Sequence, residues 1–60
     1  MPIVQINIVK GRPDELVEKC IRKVTEAVQE SLDVPVQSIR VFVNEIPPNR
    51  FAVAGKLKSE

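Results

Sequence analysis

Three groups in this 60-residue chain have chemistry that folding alone does not explain: the proline at position 2 and the arginines Arg12 and Arg40. Pro2 directly follows Met1 and directly precedes a run that reads as a strand, "IVQINIV". Once Met1 is removed, Pro2 presents a secondary amine that its ring holds rigidly at the end of that strand. With Met1 retained, the same nitrogen is a tertiary amide without basic character. Arg40 lies among strand residues, between Ile39 and Val41. A guanidinium there is costly unless it meets an anion or reaches water. Three outcomes satisfy it: a structural ion pair, to Glu45 or a helix carboxylate, an exogenous anion, or exposure to water. Arg12 follows the strand in a loop, where it is ordinary surface charge unless a ligand uses it.

The rest of the inventory is short. The chain has no histidine and one cysteine, Cys20, so it offers neither a hydrolytic triad nor an internal disulfide nor a zinc staple. Gly11 and Gly55 stand alone and form no phosphate-binding loop. Nine basic residues against eight acidic ones leave a charge of +1, too balanced for a nucleic-acid binder. With two phenylalanines and no Trp or Tyr, stacking platforms for bases are absent too. No apolar run reaches membrane-spanning length. A lone thiol and no leader sequence place the expected location in the cytoplasm.

The elements that must position these groups follow from periodicity. Val4, Ile6 and Ile8 fall on one strand face; Ile3, Gln5, Asn7 and Val9 fall on the other. Gly11 breaks the strand, and Pro13 suits the first turn of a helix, with Asp14 and Glu15 at the positive end of its dipole. Leu16, Val17, Cys20, Ile21, Val24, Ala27, Val28 and Leu32 make one helical stripe, in which Cys20 reads as a small core residue. Glu15–Lys19 and Glu18–Arg22 are i,i+4 pairs on the opposite, solvated face, each worth roughly 0.2–0.5 kcal/mol.

Asp33-Val34-Pro35 ends the helix, because the residue before a proline avoids the α region. "SIRVFVNE" is the second strand, with Ile39, Val41 and Val43 on one side and Arg40, Phe42 and Asn44 on the other. "IPPN" is a turn and "RFAVAGKL" a short extended piece or hairpin. Strand, helix, strand predicts a right-handed βαβ unit with parallel strands. One helix covers one face of such a sheet. The other, with Ile3, Val9 and Phe42, needs cover that this chain cannot supply, so self-association is expected.

Taken in order, "MPIVQINIVKGR", the amphipathic helix, "LDVPVQSIRVFVNE" and "RFAVAGKL" resemble the 4-oxalocrotonate tautomerase family over essentially the whole chain. The resemblance implies an α+β fold, a single tautomerase domain over residues 1–60, built of one β-α-β unit with a C-terminal hairpin. It implies a homo-hexamer, a trimer of dimers, with active sites shared between subunits. By resemblance Pro2 is the catalytic base, Arg40 a catalytic and substrate-binding arginine, Arg12 a second substrate-binding arginine, and Phe51 the active-site aromatic. Ile3 and Val9 line the site.

The reaction so implied is keto–enol tautomerisation of 2-hydroxymuconate or a similar unsaturated 2-oxo or 2-hydroxy dicarboxylate. Pro2 would move the proton, Arg40 polarise the 2-oxo group and Arg12 grip the distal carboxylate; no metal or organic cofactor is called for. An unperturbed α-amine titrates near 8, and burial beside Phe51 with cationic neighbours would lower that value. Two alternatives stand beside this reading. Relatives that hydrate and dehalogenate haloacrylates need an acid and a further arginine near the end of the first strand, yet "FAVAG" has no acid and Val9 sits at that strand end. A non-catalytic assembly module, with arginines that only fix packing, is the other.

Overall fold

Alternating branched residues write the first strand, β1, over Ile3–Val9: Val4, Ile6 and Ile8 are half-buried while Ile3, Gln5 and Asn7 are exposed. The computed structural model describes residues 1–60. Helix α1 runs over Asp14–Leu32. Pro13 stands at its N-cap (φ −58°, ψ 145°) rather than inside the first turn, and its carbonyl accepts the N–H groups of Leu16 and Val17 at 3.1 and 3.4 Å. The helix stops at Asp33, which turns left-handed (φ 53°, ψ 54°) and donates its N–H to the Gln29 carbonyl. An acidic residue tolerates that region better than most, so the stop is a αL cap one residue earlier than the proline rule alone requires.

A 3₁₀ turn over Val36–Ser38 follows, tied by the Ser38 hydroxyl to the Pro35 carbonyl at 2.8 Å. Ser38 is therefore turn rather than strand, and the second strand, β2, spans Arg40–Ile46. β1 and β2 pair in parallel, from Ile3 opposite Arg40 to Val9 opposite Ile46. Pro47 and Pro48 end the pairing, and a second 3₁₀ turn over Pro48–Arg50 leads to a hairpin of β3 (Ala52–Val53) and β4 (Lys56–Leu57). The architecture is the expected βαβ unit with a C-terminal antiparallel hairpin.

At the hairpin tip Ala54 and Gly55 both have positive φ, 53° and 82°. That is the pattern of a type I′ turn, which matches the twist of the flanking strands. Glycine adopts it freely, but alanine is strained there by about 1 kcal/mol. Ala54→Asn, a residue at ease in this region, is expected to slow amide exchange of Lys58, whose N–H bonds the Phe51 carbonyl at 2.8 Å. Exchange that speeds up would contradict the strain.

Only Ile39 is buried, at 9% relative exposure. The radius of gyration is 14.3 Å, against about 10 Å for a compact domain of this length, and the thinnest dimension is 14 Å. That thickness accommodates one helix on one sheet and no third layer. The sheet face away from α1 is bare, with Ile3 64% and Phe42 45% exposed.

Two sequence expectations fail here, each for its own physical reason. Cys20 is exposed, not core. Two strands only about 5 Å apart are narrower than the helix's apolar stripe, so its edge at Leu16 and Cys20 overhangs the sheet. Neither Glu15–Lys19 nor Glu18–Arg22 closes; the one ion pair of the chain is Lys23–Glu26 at 3.7 Å. Fully hydrated long side chains gain too little from pairing to hold one geometry.

Candidate active site

The parallel register decides which of the candidate residues meet. Pro2 lies one position before β1 and is half-buried; its carbonyl accepts the Arg40 N–H at 3.0 Å. Ile3 is the residue opposite Arg40. Pro2, Ile3 and Arg40 thus share the N-terminal end of the sheet. Val9 is opposite Ile46 at the other end, and the Lys10 N–H reaches the Ile46 carbonyl at 2.8 Å. Arg12 is anchored there too, donating from Nη1 to the Val9 carbonyl at 3.3 Å. Phe51 comes five residues after β2 ends, past the same end. Six residue steps of strand, about 20 Å, separate the two groups. Within one chain they do not form a single site.

Both arginines are exposed and free of carboxylates. Arg40 donates from Nη1 to the Gln37 carbonyl at 2.8 Å, and no acid lies within ion-pairing distance. The alternative of a structural pair with Glu45 fails because residues five apart along a strand point to opposite faces. Using one backbone carbonyl fixes the guanidinium and leaves its remaining N–H groups available to an anion. Arg12 is held in the same way, by a single carbonyl. It also flanks an apolar groove made by Ile6, Ile8, Leu16, Val17, Cys20 and Val43.

Three contacts near these groups have little or no sequence signal. The Gln37 carbonyl that holds Arg40 is a backbone group, so the identity of Gln37 does not announce it. Asn7 and Asn44 are opposite each other on the bare face and share a side-chain hydrogen bond of 3.1 Å. Two isolated polar residues at matching strand positions were the only hint of that. The third is the neighbour of Phe51 across the hairpin, Lys58. No cluster of His, Cys, Asp or Glu could hold a metal ion, and no helix is long and apolar enough to cross a membrane.

A family model described as "Tautomerase enzyme" matches residues 2–60. The chain belongs to the tautomerase family. As a member it is an isomerase, which sets aside the non-catalytic assembly module. This tautomerase is 47% identical over 60 residues to the 2-hydroxymuconate tautomerase of Pseudomonas putida, an alignment that covers 100% of the chain and 95% of the relative. Its fold superposes on YwhB, a homologue of 4-oxalocrotonate tautomerase, with a TM-score of 0.90 at 39% identity, covering 98% and 97% of the two chains. It also superposes on a heterohexamer 4-oxalocrotonate tautomerase from Chloroflexus aurantiacus J-10-fl, with a TM-score of 0.92 at 28% identity, covering 100% and 97%. The tautomerase fold anticipated from the sequence is the one observed.

Proposed function

We propose that this tautomerase interconverts enol and keto forms of 2-hydroxymuconate-like dicarboxylates in a homo-hexamer, with the Pro2 amine as the base. One observation carries the reading: two carboxylate-free arginines lie at opposite ends of the sheet, each beside residues that the other end lacks. A second copy running antiparallel along a free strand edge would set the Pro2 end of one chain against the Val9–Arg12 end of the next. The bare sheet face supplies the apolar surface for further association. The heterohexamer relative supports six-chain assembly, though of unlike chains, and the 2-hydroxymuconate tautomerase relatives support the substrate.

In such a site, the Pro2 nitrogen, freed by loss of Met1, takes the proton of the 2-hydroxyl. The electron pair of that O–H becomes the 2-oxo π bond, and the conjugated double bonds shift. The π pair released at the far carbon of the substrate's conjugated system takes the same proton back from Pro2 to form a C–H bond. Arg40 faces the oxygen on which charge develops and holds the adjacent carboxylate; Arg12 holds the distal one. Phe51, Ile3 and Val9 exclude water and disfavour a charged ammonium. Nothing is oxidised or reduced. Dehalogenation has no support here, since residues 51–55 carry no acid and Val9 ends β1.

Complementation between impaired chains, assayed at substrate well below KM, tests the shared site. An N-terminally blocked protein and Arg12→Ala, each inactive or impaired alone, are co-refolded in equal amounts. Random assembly leaves about a quarter of the sites with an intact Pro2 and an intact Arg12, and sedimentation should report a hexamer. A folded monomer, or no recovered activity from mixed oligomers, would overturn the shared-site reading.

A further inference from the structure

We propose that Lys58, assisted by Lys56, selects for dianionic substrates at the active site; this rests on the placement of Phe51 in that site. The hairpin register carries the argument. Ala52 pairs with Leu57 and Val53 with Lys56, and the Lys58 N–H continues the ladder to the Phe51 carbonyl at 2.8 Å. Lys58 is therefore the residue directly across from Phe51. Directly opposed side chains stand about 5 Å apart at Cβ, close enough for the lysine stem to lie along the ring with its ammonium beyond the edge. Strand alternation puts Lys56 and Val53 on that same face. Phe51, Val53, Lys56, Leu57, Lys58 and Glu60 enclose an open pocket of about 410 Å³.

The charge in this pocket is only partly neutralised from within the chain, by Glu60. Neither lysine makes an ion pair, and Arg50, just before Phe51, bonds only the Asn49 carbonyl. Glu60, the one acid of the hairpin segment, has its Oε2 engaged by the Leu57 N–H at 2.7 Å. Arg50, Lys56 and Lys58 against Glu60 give residues 50–60 a net charge of +2. The whole chain is +1, so residues 1–49 carry −1. The positive field is concentrated where Phe51 sits. A ligand with two carboxylates gains more from that field than one with a single carboxylate, both in capture rate and in residence.

Binding of two unreactive acids separates charge selection from catalysis. trans,trans-Muconate and sorbate share a trans,trans six-carbon diene and differ by one carboxylate, which sorbate replaces with a methyl group. In calorimetric titration at low salt, the unaltered protein should prefer muconate. Lys58→Met keeps the stem and removes the charge; it should weaken muconate about three-fold, and the Lys56→Met/Lys58→Met protein about ten-fold, with sorbate changing far less. Lys58→Arg should retain the preference. In 1 M salt, where screening acts within about 3 Å, the proteins should converge. An unchanged muconate-to-sorbate ratio in the double variant, or equal loss of both ligands, overturns the proposal. The N-terminally blocked protein keeps the hairpin and should keep the ratio, so failure of Pro2 as base and failure of charge selection give different results.

Discussion

Blocking the Pro2 nitrogen, by retention of Met1 or by acetylation, is expected to lower turnover of 2-hydroxymuconate about a thousand-fold while the fold and assembly persist. Met1 is 77% exposed and makes no hydrogen bond that the fold depends on, so its presence or absence leaves packing untouched. What changes is the nitrogen: an amide lone pair is delocalised into the carbonyl and does not accept a proton near neutral pH. Mass spectrometry of the N-terminus must accompany the rates, since a mixture of trimmed and untrimmed chains would dilute the effect. Equal turnover by blocked and free chains would show that another group moves the proton. Pro2→Ala, with a primary amine in nearly the same place, should retain part of the activity because the base survives and only its orientation loosens.

The pH dependence has a definite sign. With Pro2 as the proposed base, only the neutral amine works, so activity is expected to fall as pH drops through its pKa. In the proposed assembly, arginine cations and apolar neighbours would both oppose the ammonium, so this acid limb is expected below the ordinary α-amino range. A limb at the ordinary value would mean that Pro2 remains solvated and away from the arginines.

How much of this was legible beforehand differs between backbone and site. β-branched alternation located β1, and a stripe of apolar residues at helical spacing located α1, because burial on one face is a strong constraint on both. Helix ends were less exact: Asp33 takes a conformation that any reading by residue type assigns first to glycine or asparagine. Cys20 was misplaced because periodicity shows which residues share a face and says nothing about how wide the opposing layer is. The site was the least legible. Pro2, Arg12, Arg40 and Phe51 are unremarkable residue types, and their roles came from resemblance to a family. Even with the strands known, their division between two ends of the sheet depends on register, and the facing of Lys58 and Phe51 depends on a two-residue turn whose first residue, Ala54, gives no turn signal.

Arg40→Ala and Arg12→Ala are expected to fail in different kinetic constants. Arg40 shares the Pro2 end of the sheet, and its guanidinium is held by the Gln37 carbonyl at 2.8 Å with its other N–H groups free. In the proposed site it meets the oxygen that gains charge as the proton leaves. An interaction that strengthens in the transition state appears in kcat, and loss of such a donor costs about a hundred- to a thousand-fold. Arg12, at the far end beside Val9, would hold a carboxylate whose charge is the same before and during proton transfer. Its loss removes uniform binding, so KM should rise about ten-fold or more with kcat changed much less. The contrast should vanish for Arg12 with a monocarboxylate, which has no distal charge to hold, while Arg40→Ala remains slow with both. Should Arg40→Ala keep its kcat in intact oligomers, the arginine serves packing, and the charge developing on the 2-oxygen must be met by another donor.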